Sequence, residues 1–306
     1  PRYRTSICAF LCTNTSAGIE PLFYFKVFTL YFRANPTVAQ VLYHGDQNSV
    51  FNSNFRANKG TVFLAHGWNG NGNNAMNKIL TQAFLESDDV NVIVLDWSRL
   101  ANRSYVTAKG GTAAVGKALG EFVSWLTTFN IPYEKFHLVG FSLGGHLVGN
   151  AGRLRTKNIK LKTRIHLVVL VFINKFNYFP ALDPAGPLWL WDRDRVRASD
   201  AQYVEVMHTN TAFLGYSDPC GDADFYPNGG SSMPGCSNNS CSHSMAYEYM
   251  ASSVKHNHLH ANECSTLRDA TRDRCSGTLN PMGNSDLNKS RYVFFVIINI
   301  HTLLQF

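Results

Sequence analysis

The sequence is poor in acidic residues, in cysteine and in long apolar runs, and each shortage excludes a class of protein. Its 306 residues include 21 Asp and Glu against 28 Lys and Arg, a formal net charge of +7. Residues 153–175 contain seven basic residues and no acidic one, so the excess charge is local and we expect no nucleic-acid partner. Seven cysteines are too few for a disulfide scaffold that replaces a core. The most apolar runs, 165–173 and 292–300, are interrupted or too short to cross a bilayer.

The remaining composition is that of a folded globular protein. Hydrophobic residues make up 45% of the chain, which is enough to offset the entropy of ordering it. The length suits one large domain or two modest ones. The basic strip is interpreted as a solvated loop, with an anionic membrane surface as the alternative. The chain begins at Pro1 without the apolar stretch of a signal peptide, and we expect a fragment or an imperfect gene model.

Strand and helix patterns alternate along the first half of the chain. Short apolar segments at 62–65, 90–95 and 136–140 predict buried strands. Apolar residues at helical spacing predict helices over 74–85 and 113–129. This alternation predicts an α/β fold with a mostly parallel central sheet and helices on both faces. In such sheets the chemistry gathers at the carboxyl ends of the strands.

One strand leads directly into a G-x-S-x-G motif centred on Ser142. Gly140 and Gly144 lack the Cβ atoms that would clash at a tight strand-to-helix turn, and the serine hydroxyl is thrust outward. The helix that follows directs its N-terminus at the site, which favours a developing oxyanion. The sequence therefore predicts that Ser142 is a nucleophile, the alternative being an ordinary serine in a glycine-rich turn.

Four motifs together resemble the pancreatic-lipase family, and within it insect secreted lipases and venom-type phospholipases A1. They are FSLGGH at 141–146, LDPAGP at 182–187, DFYPNGG at 224–230 and CSH at 241–243, and the resemblance covers about 28–275. It implies an α/β-hydrolase fold, and in this chain we expect no C-terminal lipid-binding β-sandwich. It also implies a secreted hydrolase of lipid esters that acts at a membrane or lipid surface, without a cofactor.

The resemblance assigns the rest of a catalytic triad. Asp183 would orient and stabilise the imidazole of His243, and His243 would take the proton of Ser142 as general base. The alternative for Asp183 is a turn-capping aspartate before proline. Backbone N–H groups of Trp68 and Leu143 would form the oxyanion hole.

Two further histidines are interpreted as structural. His66 is expected to brace the loop before Trp68, and His146 to pack within the helix after the serine. His256, His258 and His260 alternate, which leaves a metal site open as a minor alternative. The calcium pattern of the family is not matched around 192–200, so we predict no metal.

Two disulfides are implied by the resemblance. Cys236 and Cys241 would close the base of a lid over the active site, with only four residues between them, and Cys264 would pair with Cys275. In the family, short lids accompany phospholipase A1 activity and long ones accompany triacylglycerol lipases. Cys8, Cys12 and Cys220 remain, an odd number, so one thiol is free or lacks its partner. Disulfides indicate an oxidising compartment, hence secretion.

Three segments depart from the family pattern. Asp183 lies 41 residues after Ser142, a longer separation than the family shows, and the surplus falls on an insert at 165–180. We predict an atypical segment at 1–22, a lipase domain over 23–291 that contains this insert, and an atypical apolar tail at 292–306. Translated intron, or an insertion unusual for the family, would explain the segment at 165–180, and the two terminal segments look similarly foreign.

These observations together predict a phospholipase A1 that releases the sn-1 fatty acid of glycerophospholipids. The alternatives are a neutral triacylglycerol lipase, a non-catalytic lipid-binding protein of the yolk type, and a gene product that does not fold. The sequence identifies no protein partner.

Overall fold

The computed structural model describes residues 27–157, 178–272, 274–284 and 293–296. Its strands are, in chain order, β1 (Val27–Tyr31), β2 (Gln40–Leu42), β3 (Thr61–Ala65), β4 (Asn91–Asp96), β5 (Phe136–Phe141), β6 (Tyr178–Leu182), β7 (Tyr203–Met207), β8 (Ala223–Pro227), β9 (His260–Cys264), β10 (Leu279–Pro281) and β11 (Val293–Val296). Its α-helices are α1 (Gln47–Phe51), α2 (Ala75–Ser87), α3 (Ser98–Ala101), α4 (Tyr105–Leu126), α5 (Leu143–Lys157), α6 (Asn239–His256) and α7 (Leu267–Ala270).

The strands form a single sheet whose centre is parallel. Its order is β10-β9-β11-β8-β7-β6-β5-β3-β4-β1-β2. The run from β4 to β11 is parallel throughout, whereas β1, β2, β9 and β10 pair antiparallel at the two edges. The carboxyl ends of six central strands, β4, β3, β5, β6, β7 and β8, therefore meet at one edge, where the loops that follow them are close together.

Apolar residues on both faces of the sheet pack against helices, which form one layer on each face. Phe63 and Leu138 point to one face, where they share a core with residues of α4 and α5 such as Phe122 and Leu147. Neighbouring strand residues such as Leu64 point to the other face, against α2 and α6. The sheet is buried on both sides, which explains why its strands are almost continuously apolar. The predicted fold class is confirmed.

The predicted elements are all present, with one helix longer than predicted. α4 begins at Tyr105, eight residues before the predicted start at 113, with the Ser104 hydroxyl accepting from the Thr107 N–H at the N-terminus. The start of α4 is difficult to predict from the sequence because Gly110 and Gly111 follow it, and glycine weakens a helical pattern. At Gly111, a Cβ atom would lie 2.1 Å from the end of the Leu100 side chain, so a larger residue there would require that side chain to shift.

The predicted insert needs a correction at its C-terminal end. Residues 178–180 belong to β6, which pairs parallel with β5 and places Tyr178 opposite His137. Tyr178 and Phe179 are buried in the core. These three residues therefore lie in a buried core strand, which also delivers Asp183 to the edge of the sheet. The rest of the predicted insert, 165–177, lies outside the described residues.

A further strand lies beyond the C-terminal boundary predicted at 291. Residues 293–296 form β11, which pairs parallel with β8 and antiparallel with β9 inside the sheet. Part of the predicted atypical tail therefore joins the same sheet as the parallel central strands. The remainder of the tail and the predicted segment 1–22 lie outside the described residues.

Among the described residues, no helix combines the length and the apolar character needed to cross a membrane.

Candidate active site

Ser142 is the single residue between β5 and α5, and it occupies a strained turn. Its φ of 56° lies in the left-handed region, and its N–H donates to the Leu182 carbonyl over 3.0 Å. A Cβ at Gly140 would lie 2.2 Å from the Gly144 carbonyl oxygen, and a Cβ at Gly144 would lie 2.0 Å from the carbonyl oxygen of Ala65. Neither glycine tolerates a side chain, so the spacing of the motif follows from the backbone packing at this turn.

Asp183 and His243 are joined by a short hydrogen bond. Nδ1 of His243 lies 2.6 Å from Oδ2 of Asp183, and both residues are buried. The other carboxylate oxygen, Oδ1, accepts from the backbone N–H groups of Thr209 at 2.9 Å and Asn210 at 3.3 Å. These donors lie far along the chain, so the carboxylate does not act as the turn cap that the sequence left open. With Nδ1 donating to the carboxylate, Nε2 of His243 is left to accept a proton.

His243 lies near the start of α6, beside the strand that carries the serine. Asn238 caps this helix, since its side chain accepts from the Cys241 N–H over 2.9 Å. The Phe141 ring, adjacent to Ser142, packs against the His243 imidazole with centroids 4.6 Å apart and edge-on against Tyr247 at 5.2 Å. The imidazole therefore packs against the residue before Ser142, while its Nδ1 is hydrogen-bonded to the Asp183 carboxylate.

The loop after β3 passes directly over the serine. A Cβ at Gly67 would lie 2.7 Å from the Ser142 Cβ, so the residue before Trp68 touches Ser142. Leu143 is the first residue of α5, and its N–H belongs to the unpaired set at a helix N-terminus. The structure thus brings the segments of Trp68 and Leu143 together at Ser142. Hydroxyl, imidazole, carboxylate and backbone donors of this kind are the set required for nucleophilic acyl transfer.

The two histidines that were interpreted as structural are fully buried and hydrogen-bonded. His66 Nε2 accepts from the Trp97 N–H at 3.3 Å, and the two rings stack. His146 Nε2 donates to the Ala185 carbonyl at 2.8 Å, and its Nδ1 accepts from the Val196 N–H at 3.0 Å. Burial lowers the pKa of His146 to about 3, so the ring is neutral. His146 thereby fastens the helix after Ser142 to the loop that follows Asp183.

Several polar residues at this edge were not found from the sequence. Thr209 and Asn210 donate to Asp183 as described, and the preceding residue, His208, is fully buried. Its Nε2 lies 2.9 Å from Oδ1 of Asp224 and its Nδ1 lies 2.8 Å from the Tyr216 carbonyl. The sequence feature that could have identified these residues is a run of polar residues immediately after the apolar strand β7. They lie at the carboxyl end of this strand, where the functional residues of parallel sheets are found.

Both predicted disulfides form. Cys236 bonds to Cys241 and Cys264 bonds to Cys275. Of the four residues enclosed by the first bridge, Asn239 and Ser240 already belong to the first turn of α6. The segment that could cover the site is thus shorter than the sequence indicated.

Cys220 is a free thiol. Its pKa is raised well above the usual range, mainly by burial and to a smaller extent by the charge of Asp224. Cys8 and Cys12 lie outside the described residues. Within the described part of the chain, no group of three His, Cys, Asp or Glu side chains is arranged to hold a metal ion. His256, His258 and His260 accordingly do not form the metal site that their spacing left open.

Comparison with known proteins identifies relatives along most of the chain. A family model described as Lipase matches residues 15–291. Lipase member H of Oryctolagus cuniculus is 32% identical over 268 residues, covering 83% of this chain and 54% of that protein. Lipoprotein lipase of Rattus norvegicus is 35% identical over 202 residues, covering 63% of this chain and 39% of that protein. The chain thus spans about half the length, or less, of these curated relatives. Among solved structures, the α/β hydrolase enzyme MGS-M1 from a Medee basin deep-sea metagenome library matches with a TM-score of 0.32 and 15% identity, covering 66% of this chain and 70% of that one.

Proposed function

The chain belongs to the lipase family, and from that premise we propose that it is a secreted serine hydrolase of lipid esters. Ser142, Asp183 and His243 are its catalytic triad, and the backbone N–H groups of Trp68 and Leu143 are its oxyanion hole. The specific activity we propose is that of a phospholipase A1, which releases the sn-1 fatty acid of a glycerophospholipid. The observation that carries the proposal is the 2.6 Å bond from His243 to Asp183 next to a serine held in a strained strand-to-helix turn.

The proposed reaction follows from the positions of these groups. The Ser142 Oγ attacks the acyl carbonyl while Nε2 of His243 takes the hydroxyl proton. The N–H groups of Trp68 and Leu143 donate to the oxyanion of the tetrahedral intermediate. When the intermediate collapses, His243 returns the proton to the leaving lysophospholipid alcohol, and the acyl group stays on Ser142. Water, activated by the same imidazole, then releases the fatty acid and restores the serine.

The small size of the covering segment supports a phospholipid substrate. The Cys236–Cys241 bridge encloses four residues, two of which are already helical, so this segment hides little apolar surface. A polar head group can then remain solvated beside the scissile ester. A neutral triacylglycerol has no such group, and it is the alternative substrate that the experiment below separates.

Secretion is supported by the two disulfides, because such bonds persist in oxidising compartments outside the cytosol.

Covalent labelling of the serine tests the hydrolase proposal. A fluorophosphonate is expected to form an adduct on Ser142 of the intact chain and none on the Ser142→Ala variant. The non-catalytic lipid-binding alternative predicts no adduct on either protein.

Release of fatty acid from phosphatidylcholine and from triolein, measured side by side, tests the substrate. Faster release from triolein would reject the phospholipase A1 assignment and leave the ester hydrolase in place.

A further inference from the structure

His208 and Asp224 form a second buried histidine–carboxylate pair, next to the segment that donates to Asp183. His208 is fully buried and Asp224 is almost so. Nε2 of His208 lies 2.9 Å from Oδ1 of Asp224. Neither residue takes part in the proposed reaction. Burial of two ionisable groups is costly unless both are paired and fully hydrogen-bonded, and all four polar side-chain atoms of this pair have partners.

The hydrogen bonds of the pair show where its protons are. Both carboxylate oxygens of Asp224 accept from backbone N–H groups, Oδ1 from Cys220 at 2.9 Å and Oδ2 from Gly221 at 3.0 Å, which favours the ionised carboxyl. The other ring nitrogen of His208, Nδ1, lies 2.8 Å from the Tyr216 carbonyl oxygen. Since both ring nitrogens face acceptors, both donate in this arrangement, and the ring forms an ion pair with Asp224.

Strand β8 fixes the place and the orientation of the His208 ring. The ring stacks on Tyr226 with centroids 4.2 Å apart and the two planes 5° apart. The backbone N–H of His208 donates to the Phe225 carbonyl at 2.8 Å. Asp224, Phe225 and Tyr226 are consecutive residues of β8. This central strand therefore holds His208 through an ion pair, a backbone hydrogen bond and a ring contact.

The segment that follows His208 donates to the Asp183 carboxylate. The N–H groups of Thr209 and Asn210 reach Oδ1 of Asp183 at 2.9 Å and 3.3 Å. Thr209 Oγ1 also donates to the His243 carbonyl at 3.4 Å. A rotation of the backbone at His208 would therefore displace both donors to the carboxylate.

The segment that His208 binds through Nδ1 packs against the same carboxylate. A Cβ at Gly215 would lie 2.2 Å from Oδ1 of Asp183, so the backbone there contacts the carboxylate. The Tyr216 N–H donates to the Pro184 carbonyl at 2.7 Å, one residue after Asp183. His208 is thus hydrogen-bonded to one of the two segments that enclose the Asp183 carboxylate and continuous in sequence with the other.

We propose that His208 and Asp224 are positioning residues of the active site. Their ion pair holds the segments 209–210 and 215–216 against the Asp183 carboxylate, and Asp183 in turn aligns His243. This inference rests on the proposed function, because it acts on the reaction only through the role of Asp183. Loss of the pair should therefore slow acyl transfer without weakening the binding of substrate.

Kinetics of three variants test the pair: His208→Gln, Asp224→Asn and the double variant. Each single substitution should lower kcat for a soluble short-chain ester by about 10- to 100-fold, because the Asp183 carboxylate loses its fixed position. KM should change by less than about twofold. Since the two residues act through one ion pair, the double variant should lose no more than the larger single loss, rather than the product of the two.

A spectroscopic signature separates positioning from a general loss of structure. The proton between Nδ1 of His243 and Asp183 lies in a 2.6 Å hydrogen bond, and the NMR resonance of such a proton is far downfield. It should move upfield in His208→Gln and in Asp224→Asn. His137 is the matched control, a buried histidine at the amino end of β5, far from the carboxyl ends of the strands. His137→Gln should keep kcat and this resonance even where it lowers thermal stability.

The outcomes distinguish the positioning role from the proposed function. Rates are referred to the fraction of chains that a fluorophosphonate labels on Ser142, and a parent that forms no adduct would reject the proposed function. With the adduct present, the positioning role is rejected by a kcat equal to that of His137→Gln. It is also rejected by a raised KM with unchanged kcat, or by a double variant whose loss is the product of the two single losses.

The parent itself tests the ion pair if the variants fail to fold. NMR of the isotope-labelled parent should show a proton on each ring nitrogen of His208, both slow to exchange with solvent because the ring is fully buried. A His208 ring that carries a single proton has no ion pair with Asp224 and would overturn the proposal.

Discussion

Two residues of the proposed triad have a left-handed backbone although neither is glycine. Ser142 has a φ of 56° and Asp183 has a φ of 39°. Each such conformation costs about 1–3 kcal/mol, which the surroundings must offset. The Ser142 N–H donates to the Leu182 carbonyl, and the Asp183 N–H donates to the Met207 carbonyl at 2.7 Å. Each strained residue is thus tied to the neighbouring strand, which turns both side chains toward the same edge of the sheet.

His146 is a buried residue whose protonation makes stability depend on pH. Its pKa is lowered by burial to about 3, against an ordinary value of 6.5 in the unfolded chain. As the pH falls below about 6.5, the unfolded chain binds a proton that the folded chain does not. The contribution to stability is therefore present above pH 6.5 and is lost as the pH falls toward 3, at up to about 1.4 kcal/mol per pH unit.

Chemical unfolding at pH 7 and pH 5 measures this loss. The free energy of unfolding should fall by about 2 kcal/mol more in the parent than in His146→Gln, whose amide can still donate to the Ala185 carbonyl but does not titrate. His260 is exposed, so His260→Gln serves as the control and should keep the parental dependence. Parallel pH dependences in the parent and His146→Gln would contradict the assignment.

At the scale of elements, the sequence predicted best those features that local residues determine. The strand β5, the turn at Ser142 and the start of α5 follow from glycines and apolar residues within a few positions of each other. The donors to Asp183 could not be predicted in this way. Thr209 and Asn210 approach the carboxylate only because β6 and β7 are neighbours in the sheet, and strand order is a long-range property.

β6 shows where local interpretation went wrong. Residues 165–180 form an apolar segment without turn residues, and nothing within the segment separates strand from insert. The distinction comes from pairing, because β6 lies between β5 and β7. A core strand and an apolar insert have the same local composition.

Deletion of 165–177 tests how much of this segment the fold requires. The deletion leaves 158–164 to join α5 to β6, and seven residues can span up to about 23 Å. We expect this variant to keep hydrolysis of a soluble ester within about threefold, because β6 and Asp183 are intact. Extending the deletion to 165–180 removes Tyr178, Phe179 and Pro180 from the core and should abolish soluble expression or activity. Equal activity of the two variants would show that these strand residues are dispensable.

At the scale of the whole molecule, the order of strands joins the C-terminal elements to the central parallel strands through β11. β9 pairs with β10 and β11, and β11 in turn pairs with β8. The described strands include no direct pairing of β9 with β8. Since α6 carries His243 and ends only four residues before β9, the attachment of β9 also restrains the helix of the proposed general base.

Two truncated chains test this connection. A chain that ends after residue 291 lacks β11, whereas the matched control ends after residue 296 and keeps it. Loss of the backbone pairs on both sides of β11 should cost about 3 kcal/mol and lower the melting temperature by about 5–10 °C relative to the control. Limited proteolysis should then cut first between residues 265 and 274, inside the loop that the Cys264–Cys275 bridge closes, so the pieces stay together until the bridge is reduced. Hydrolysis of a soluble ester should also be slower in the chain without β11, because His243 lies on α6 and moves with that helix. If the two truncated chains melt and cleave alike, β11 does not join the C-terminal elements to the sheet and the boundary at 291 stands.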